Sequence, residues 1–184
     1  QELEDISAAC RERGLKLFVD GARLAYSLAS PANDVSLADV ARLSDVFYIG
    51  GTKCGTLFGE AVVIPDGGSI RQFVTQMKQH GALLAKGRLL GVQFEALFED
   101  DLYLTLGAPG VAATKRIREA LIRAGYVVTM DSPTNLTFVA LDQAGHERLS
   151  RKVRYGIWET LPDGRLLARF CTSWGTPEED IKAF

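Results

Sequence analysis

The clearest chemical signal in this 184-residue sequence is an aspartate that stands 33 residues before a lysine. Asp20 opens the segment Asp-Gly-Ala-Arg after an apolar run, and Lys53 stands in the segment Gly-Gly-Thr-Lys-Cys-Gly. A lysine amine can form an imine with an aldehyde, and a carboxylate can keep a pyridine nitrogen protonated. Together these two groups are what an enzyme needs to hold pyridoxal phosphate. Taken singly, Asp20 fits a strand end or helix cap, and Lys53 fits an exposed glycine loop.

The neighbours of the two residues strengthen this interpretation. Gly21 lets the backbone pass close to a flat ring, because glycine has no side chain. The glycines around Lys53 leave space for a cofactor, and we expect Lys53 to be partly buried there. Thr52 is a candidate contact for a phosphate group, whereas Cys54 fits a packing role.

The elements that position these residues follow from the hydrophobic pattern. Residues 1–14 have helical spacing, and residues 15–20 are a short apolar run typical of a parallel strand buried on both faces. A helix over 37–43 and strands over 45–50 and 60–65 complete an α/β order. Asp20 then lies at the carboxyl end of a strand, where open α/β sheets bind ligands.

The pattern changes after residue 106. Residues 69–106 are predicted to be helical with a break near Gly81, and a second amphipathic helix is predicted from residue 108 to 124. Short strands and helices follow, with Asp163 and Gly164 at a hairpin turn. The sequence therefore predicts two domains, residues 1–106 and 107–184, the second being α+β.

Composition restricts the classes of partner. Hydrophobic residues make up 47% of the chain, and 21 Lys and Arg are balanced by 23 Asp and Glu, with the basic residues scattered. This balance argues against nucleic acid or an anionic membrane and favours a small substrate. The three cysteines lack the spacing of a metal site or a disulfide framework. We therefore expect a cytoplasmic protein without a metal.

Several segments of the chain resemble one enzyme family, the low-specificity L-threonine aldolases of the β-eliminating lyase superfamily. These enzymes depend on pyridoxal phosphate and have the aspartate aminotransferase fold, also called fold type I. The similar segments are residues 17–24, 45–55, 58–63, 77–81, 84–91 and 167–174. The Asp-Gly-Ala-Arg segment together with Lys53 is the specific part of the resemblance.

The resemblance implies a fold and a domain arrangement. The chain is expected to be α/β, with residues 1–106 forming the C-terminal part of the large cofactor domain and its mostly parallel sheet. Residues 107–184 are expected to form the small C-terminal α+β domain. Since the chain begins within a helix and without an initiator Met, we expect a fragment that lacks the N-terminal half. In the family, the ring-stacking residue and the phosphate loop belong to that half.

The resemblance also implies roles for individual residues. Lys53 is expected to be the Schiff-base lysine, and Asp20 the partner of the pyridine nitrogen. Arg23 and Arg169 are expected to bind the substrate carboxylate, because a guanidinium grips a carboxylate through two parallel hydrogen bonds. Lys86 or Arg88 falls where the family reaches the cofactor phosphate, often from a neighbouring subunit. A homodimer or homotetramer with shared sites is therefore expected.

The function implied by the resemblance is retro-aldol cleavage of a β-hydroxy-α-amino acid, such as L-threonine or L-allo-threonine, to glycine and an aldehyde. Two alternatives remain open. A β-eliminating or other amino-acid lyase would keep the fold and the cofactor but break another bond. A non-catalytic α/β interaction module would use Asp20 and Lys53 only for structure.

Overall fold

The computed structural model describes residues 1–184, which form eight α-helices and seven β-strands. The helices are α1 (Glu2–Glu12), α2 (Leu24–Leu28), α3 (Leu37–Leu43), α4 (Phe73–Gln79), α5 (Arg88–Phe98), α6 (Leu102–Arg123), α7 (Gln143–Ser150) and α8 (Glu178–Ala183). The strands are β1 (Phe18–Val19), β2 (Val46–Gly50), β3 (Glu60–Val63), β4 (Val127–Met130), β5 (Leu136–Leu141), β6 (Gly156–Thr160) and β7 (Leu166–Cys171). None of the helices has the length and apolar character needed to span a membrane.

The chain divides into two compact units. The first unit comprises Gln1–Leu28 and Asp34–Tyr103, and the second comprises Ala29–Asn33 and Leu104–Phe184. The division falls inside α6, close to the start of that helix. The domain boundary expected near Gly107 stays a prediction, but the helix break expected before residue 108 is wrong, because α6 runs continuously through Gly107 and Pro109.

The first unit contains a three-stranded sheet in the order β1-β2-β3. Strand β1 is parallel to β2, and β3 is antiparallel to β2. The sheet of this chain is therefore mixed rather than mostly parallel. Burial of β1 on both faces was also a wrong prediction: β1 is an edge strand with a single neighbour, and Phe18 is 58% exposed.

Buried side chains from helices and strands hold the first unit together. Phe47 and Ile49 of β2 are buried, as expected from the alternation of side chains along a strand. They are accompanied in the core by Leu24, Ala25, Tyr26, Val40, Leu43, Cys54, Leu97 and Tyr103. The ends of β1 and β2 therefore pack against a buried core.

The second unit has its own antiparallel sheet in the order β4-β5-β7-β6. Its core combines α6, α7 and α8 with one face of the sheet and consists of Ile117, Leu121, Val139, Leu141, Leu149, Ala168, Phe170 and Ile181. The hairpin between β6 and β7 turns at residues 161–165, where Leu161 N–H donates to the Arg165 carbonyl oxygen at 2.8 Å. The predicted turn at Asp163 and Gly164 is confirmed.

Candidate functional site

Two glycines bring the ends of β1 and β2 into direct contact. The Gly50 N–H donates to the Gly21 carbonyl oxygen at 2.9 Å. A Cβ atom on Gly21 would overlap the Tyr48 carbonyl oxygen, and one on Gly50 would lie 2.5 Å from the Ala22 carbonyl oxygen. A side chain at either position would therefore force the two strand ends apart. Asp20 directly precedes Gly21 and Lys53 follows shortly after Gly50, so both residues lie next to this contact in the sequence.

Asp20 is held at the end of β1 through only one of its carboxylate oxygens. Its Oδ1 accepts a hydrogen bond from the Tyr48 hydroxyl and another from the Ala22 N–H at 3.0 Å. These two hydrogen bonds, and then the positive charges of Lys53 and Arg23, lower the pKa of the Asp20 carboxyl. Asp20 is thus ionised at neutral pH, and its Oδ2 has no hydrogen-bond partner within the chain.

Lys53 lies in a turn over residues 52–55 whose main chain is anchored from several directions. The Gly51 carbonyl oxygen accepts from Cys54 N–H at 2.8 Å, and the Lys53 carbonyl oxygen accepts from the Tyr26 hydroxyl at 2.6 Å. The Lys53 side chain itself is exposed and makes no ion pair, so the expected partial burial is wrong for this chain. Its amine is available to a ligand.

Thr52 and Gly51 both bind Glu60, the first residue of β3. The Gly51 N–H donates to Glu60 Oε2 at 2.7 Å, and the Thr52 hydroxyl donates to Glu60 Oε1 at 3.0 Å. A phosphate group would need the single hydroxyl hydrogen that Thr52 gives to Glu60. Thr52 as a cofactor contact therefore stays a prediction, and this hydrogen bond disfavours it.

Cys54 and Tyr103 form the buried base beneath the turn. Both side chains are fully buried, and the Tyr103 hydroxyl donates to the Gly50 carbonyl oxygen at 3.2 Å. Burial raises the pKa of the Cys54 thiol and of the Tyr103 hydroxyl. Both groups are therefore neutral at physiological pH, which fits the packing role expected for Cys54.

Arg23 follows Asp20 in the turn that leads into α2. Its side chain is half-buried, and its Nε is buried without a hydrogen-bond partner in the chain. A buried donor without an acceptor costs free energy, so this N–H is a candidate donor that the chain itself does not satisfy. Arg23 and Lys53 both lie near enough to Asp20 to lower its pKa, which brings three of the predicted residues together.

Arg169 lies in the second unit, on the central strand β7. Its guanidinium stacks on Trp158, 4.9 Å from the ring centroid, and forms no ion pair. The register of β6 against β7 shifts between Ile157 and Glu159, so that Trp158 lies at an irregularity of the edge strand. Arg169 is therefore not an arginine held in an ion pair on its strand. Its role in substrate binding stays a prediction.

Lys86 is exposed in the turn before α5 and makes no ion pair. Its role as a phosphate contact also stays a prediction.

Sequence reasoning missed Tyr48, Tyr26 and Glu60, which hold the predicted residues in place. The alternation of β2 offered one signal, since it turns Tyr48 away from the buried side chains of Phe47 and Ile49.

An α/β sheet whose neighbouring strand ends carry a carboxylate, an amine and a guanidinium defines the first unit as a ligand-binding α/β domain. The chain matches the family model of the β-eliminating lyases over residues 1–153. It is 31% identical over 186 residues to the low specificity L-threonine aldolase of Pseudomonas aeruginosa, with 98% of this chain and 52% of that protein covered. The chain belongs to the β-eliminating lyase family.

Solved structures support this membership. The threonine aldolase of Leishmania major superposes with a TM-score of 0.92 at 45% identity, covering 98% of this chain and 53% of that one. A protein from Exiguobacterium described as an aromatic amino acid β-eliminating lyase/threonine aldolase superposes with a TM-score of 0.70 at 20% identity, which supports the fold alone. The chain therefore spans about half the length of the relatives it matches.

Family membership implies pyridoxal phosphate as the cofactor. The residues of the first unit fit this group, because three unpaired polar groups lie near one another. Asp20 Oδ2 can accept a hydrogen bond from a protonated ring nitrogen, the Lys53 amine can bond to an aldehyde, and the buried Arg23 Nε can donate to an anion. The close approach at Gly21 and Gly50 keeps side chains out of this space.

Proposed function

We propose that this chain provides the lysine-bearing half of an enzyme that cleaves a β-hydroxy-α-amino acid, such as threonine, into glycine and an aldehyde. The observation that carries the proposal is the grouping of Asp20, Lys53 and Arg23 at neighbouring strand ends, with Asp20 kept ionised. The similarity to threonine aldolases supports this reaction over the others that the family performs.

Each residue of the group has a separate task. Bound pyridoxal phosphate would supply a conjugated ring that takes up the electrons of the bond broken at the substrate Cα atom. Asp20 Oδ2 would keep the ring nitrogen protonated, because an ionised carboxylate stabilises the protonated form. Lys53 would bond through its amine to the cofactor aldehyde and so hold the cofactor in the absence of substrate.

Two arginines are proposed to bind the substrate carboxylate. The buried Arg23 Nε lacks a partner in the chain, and an amino-acid carboxylate would satisfy it. Arg169, whose guanidinium plane is already fixed by Trp158, would provide the second contact. Two bidentate donors fix rotation about the substrate Cα bonds, and this rotation decides which bond is broken.

We also propose that the active protein is a homodimer or homotetramer with shared sites. Lys86 is exposed before α5 and makes no ion pair within the chain, as a residue that contacts phosphate in a neighbouring subunit would be. Mixing Lys53→Ala protein with Lys86→Ala protein tests this point. Partial recovery of activity is expected if the two residues belong to sites shared between subunits.

The central test uses the purified full-length enzyme, of which this chain is the lysine-bearing part, with added pyridoxal phosphate. The wild-type protein is expected to show a visible absorbance band of lysine-bound cofactor and to convert L-threonine to glycine and acetaldehyde. Lys53→Ala is expected to lose both, whereas Lys115→Ala, on an exposed face of α6, keeps both. Formation of 2-oxobutanoate and ammonia instead would assign elimination. Absence of any band in the wild type would favour the interaction module.

A further inference from the structure

Glu60 binds the two residues that directly precede Lys53, and the proposed reaction gives it no task. Glu60 is paired with Gly50 in the antiparallel register of β2 and β3, so its side chain reaches back to the start of the lysine turn. One carboxylate oxygen accepts from Gly51 N–H at 2.7 Å and the other from the Thr52 hydroxyl at 3.0 Å. Hydrogen bonds to an ionised acceptor are the stronger kind.

The opposite side of the turn is also fixed. The Tyr26 hydroxyl donates to the Lys53 carbonyl oxygen at 2.6 Å, and the Tyr26 side chain is only 1% exposed. Cys54, the next residue, is fully buried. The main chain of Lys53 is thus held before and after the residue, while the lysine side chain remains exposed.

The surroundings of Glu60 indicate that its charge is used for hydrogen bonding. Glu60 forms no ion pair. Its two carboxylate oxygens accept hydrogen bonds from the Gly51 N–H and the Thr52 hydroxyl. Its negative charge adds to burial in raising the pKa of the Cys54 thiol and of the Tyr103 hydroxyl, so it lies close to the buried base of the turn. The carboxylate is therefore oriented toward the backbone of the turn.

We propose that Glu60 is a positioning residue for Lys53, which fixes the turn so that the exposed amine meets the cofactor from one direction. A reacting group on a fixed main chain reacts faster than one on a mobile loop, because less freedom is lost at the moment of reaction. The consequence for the cofactor rests on the proposed function, whereas the fixed turn can be measured without any cofactor.

The first experiment measures amide hydrogen exchange by NMR in the cofactor-free full-length protein. In Glu60→Ala, the Gly51 amide loses its acceptor and is expected to exchange at least roughly tenfold faster. Glu60→Gln keeps a carbonyl oxygen for the Gly51 N–H and is expected to exchange close to the wild-type rate. The control Glu119→Ala removes an exposed glutamate of α6 and is expected to change nothing. Unchanged Gly51 exchange in Glu60→Ala would overturn the proposal.

The second experiment measures how fast pyridoxal phosphate becomes bonded to Lys53, by reduction with borohydride at timed intervals and mass spectrometry. Glu60→Ala is expected to slow attachment at least roughly tenfold, with Glu60→Gln within about threefold of the wild type. If Glu60→Ala does not fold, Glu60→Asp carries the test, since its shorter side chain cannot reach both partners. Attachment to Glu60→Asp at the wild-type rate would then contradict the proposal.

The two experiments separate two kinds of failure. If the wild-type protein bonds the cofactor and Glu60→Ala does so equally fast, the role of Glu60 is wrong and the proposed function stands. If the wild-type protein does not bond the cofactor at Lys53, the proposed function fails. The exchange rate of the Gly51 amide then decides alone whether Glu60 holds the turn.

Discussion

Three aspartates of the first unit, Asp20, Asp39 and Asp45, have lowered pKa values, and of these Asp20 and Asp39 lie in regions with different tasks. Asp39 belongs to the capping box at the start of α3, where its Oδ2 accepts from the Ser36 N–H at 3.0 Å and its Oδ1 accepts from Arg42 at 2.9 Å. The Ser36 hydroxyl also donates to Oδ2 at 2.6 Å, and this bond, followed by those from Arg42 and the Ser36 N–H, lowers the pKa of the Asp39 carboxyl from 3.8 to about 2. Asp20 also has a lowered pKa, yet only its Oδ1 is used.

Asp20 and Asp39 differ in the feature that identifies a candidate ligand site. A lowered pKa is common to both carboxylates and reports only that the ionised form is stabilised. What distinguishes Asp20 is an ionised oxygen without a partner, close to the positive charges of Lys53 and Arg23. Asp39 has a partner on each oxygen, as a helix cap requires. The unpaired oxygen, rather than the pKa, indicates a ligand.

The largest effect is expected for Asp20→Asn. A neutral amide no longer holds a proton on the ring nitrogen, so we expect turnover to fall at least about 100-fold while the cofactor still bonds to Lys53. The measurement is kcat with L-threonine, together with the absorbance of the bound cofactor. Asp39→Asn is the matched control and should change stability but not turnover. Near-normal turnover in Asp20→Asn would remove the distinction between the two aspartates.

A smaller effect is expected for arginine-to-lysine changes. Arg23→Lys and Arg169→Lys should each raise KM roughly tenfold, because a lysine cannot bind a carboxylate through two parallel hydrogen bonds. Arg42→Lys, at the cap of α3, provides the control and should leave KM unchanged. Steady-state kinetics with L-threonine measure all three. An unchanged KM in Arg169→Lys would exclude Arg169 from the site.

Tyr48→Phe should produce a moderate change that depends on pH. The hydrogen bond from Tyr48 is the main cause of the lowered pKa of Asp20, so its removal should raise this pKa. Since Asp20 must be ionised to hold the ring proton, activity should then be lost at a higher pH than in the wild type as the solution is acidified. At neutral pH, turnover should fall no more than about tenfold. NMR titration of the Asp20 carboxyl carbon measures the shift directly.

The opposite result in Tyr48→Phe would be informative. If the pKa of Asp20 does not rise, the Ala22 N–H and the nearby cations are sufficient to keep the carboxylate ionised. Tyr48 would then contribute only orientation, and the loss should appear at every pH rather than at acidic pH alone.

Local sequence patterns were sufficient to predict some parts of this site. Asp20 follows an apolar run and Lys53 lies among glycines, and both features can be recognised within ten residues. Tyr48 and Glu60 could not be found in this way, because their contacts depend on how strands pair. Tyr48 reaches Asp20 through the parallel pairing of β1 and β2, and Glu60 reaches Gly51 through the antiparallel register of β2 and β3. Register is a property of the folded sheet.

Helix α6 shows that parts of the fold, too, could not be predicted from local sequence alone. The hydrophobic pattern predicted one helical region up to residue 106 and a separate helix from residue 108, and Gly107 and Pro109 do lower the local preference for a helix. The structure continues the helix from Leu102 to Arg123, with Tyr103 near its start and Leu121 near its end both buried. Burial along the helix outweighs the local cost of the two residues, and burial could not be deduced from the local sequence.

The smallest effect is expected at the cap of α3, where Ser36→Ala should affect stability alone. The Ser36 hydroxyl accepts from the Asp39 N–H at 3.1 Å, and losing such a cap should lower the melting temperature by roughly 2–4 °C. Ser36→Thr keeps the hydroxyl oxygen and should lose less stability.

Because the pKa of Asp39 is lowered from 3.8 to about 2, the stabilising contribution of its carboxylate is complete above pH 3.8 and is lost as the pH falls toward 2. The difference in melting temperature between Ser36→Ala and the wild type should therefore shrink in strong acid. If Ser36→Ala instead slowed attachment of pyridoxal phosphate to Lys53, the cap region and the strand-end region would be coupled, and a carboxylate with partners on both oxygens would no longer be a purely structural one.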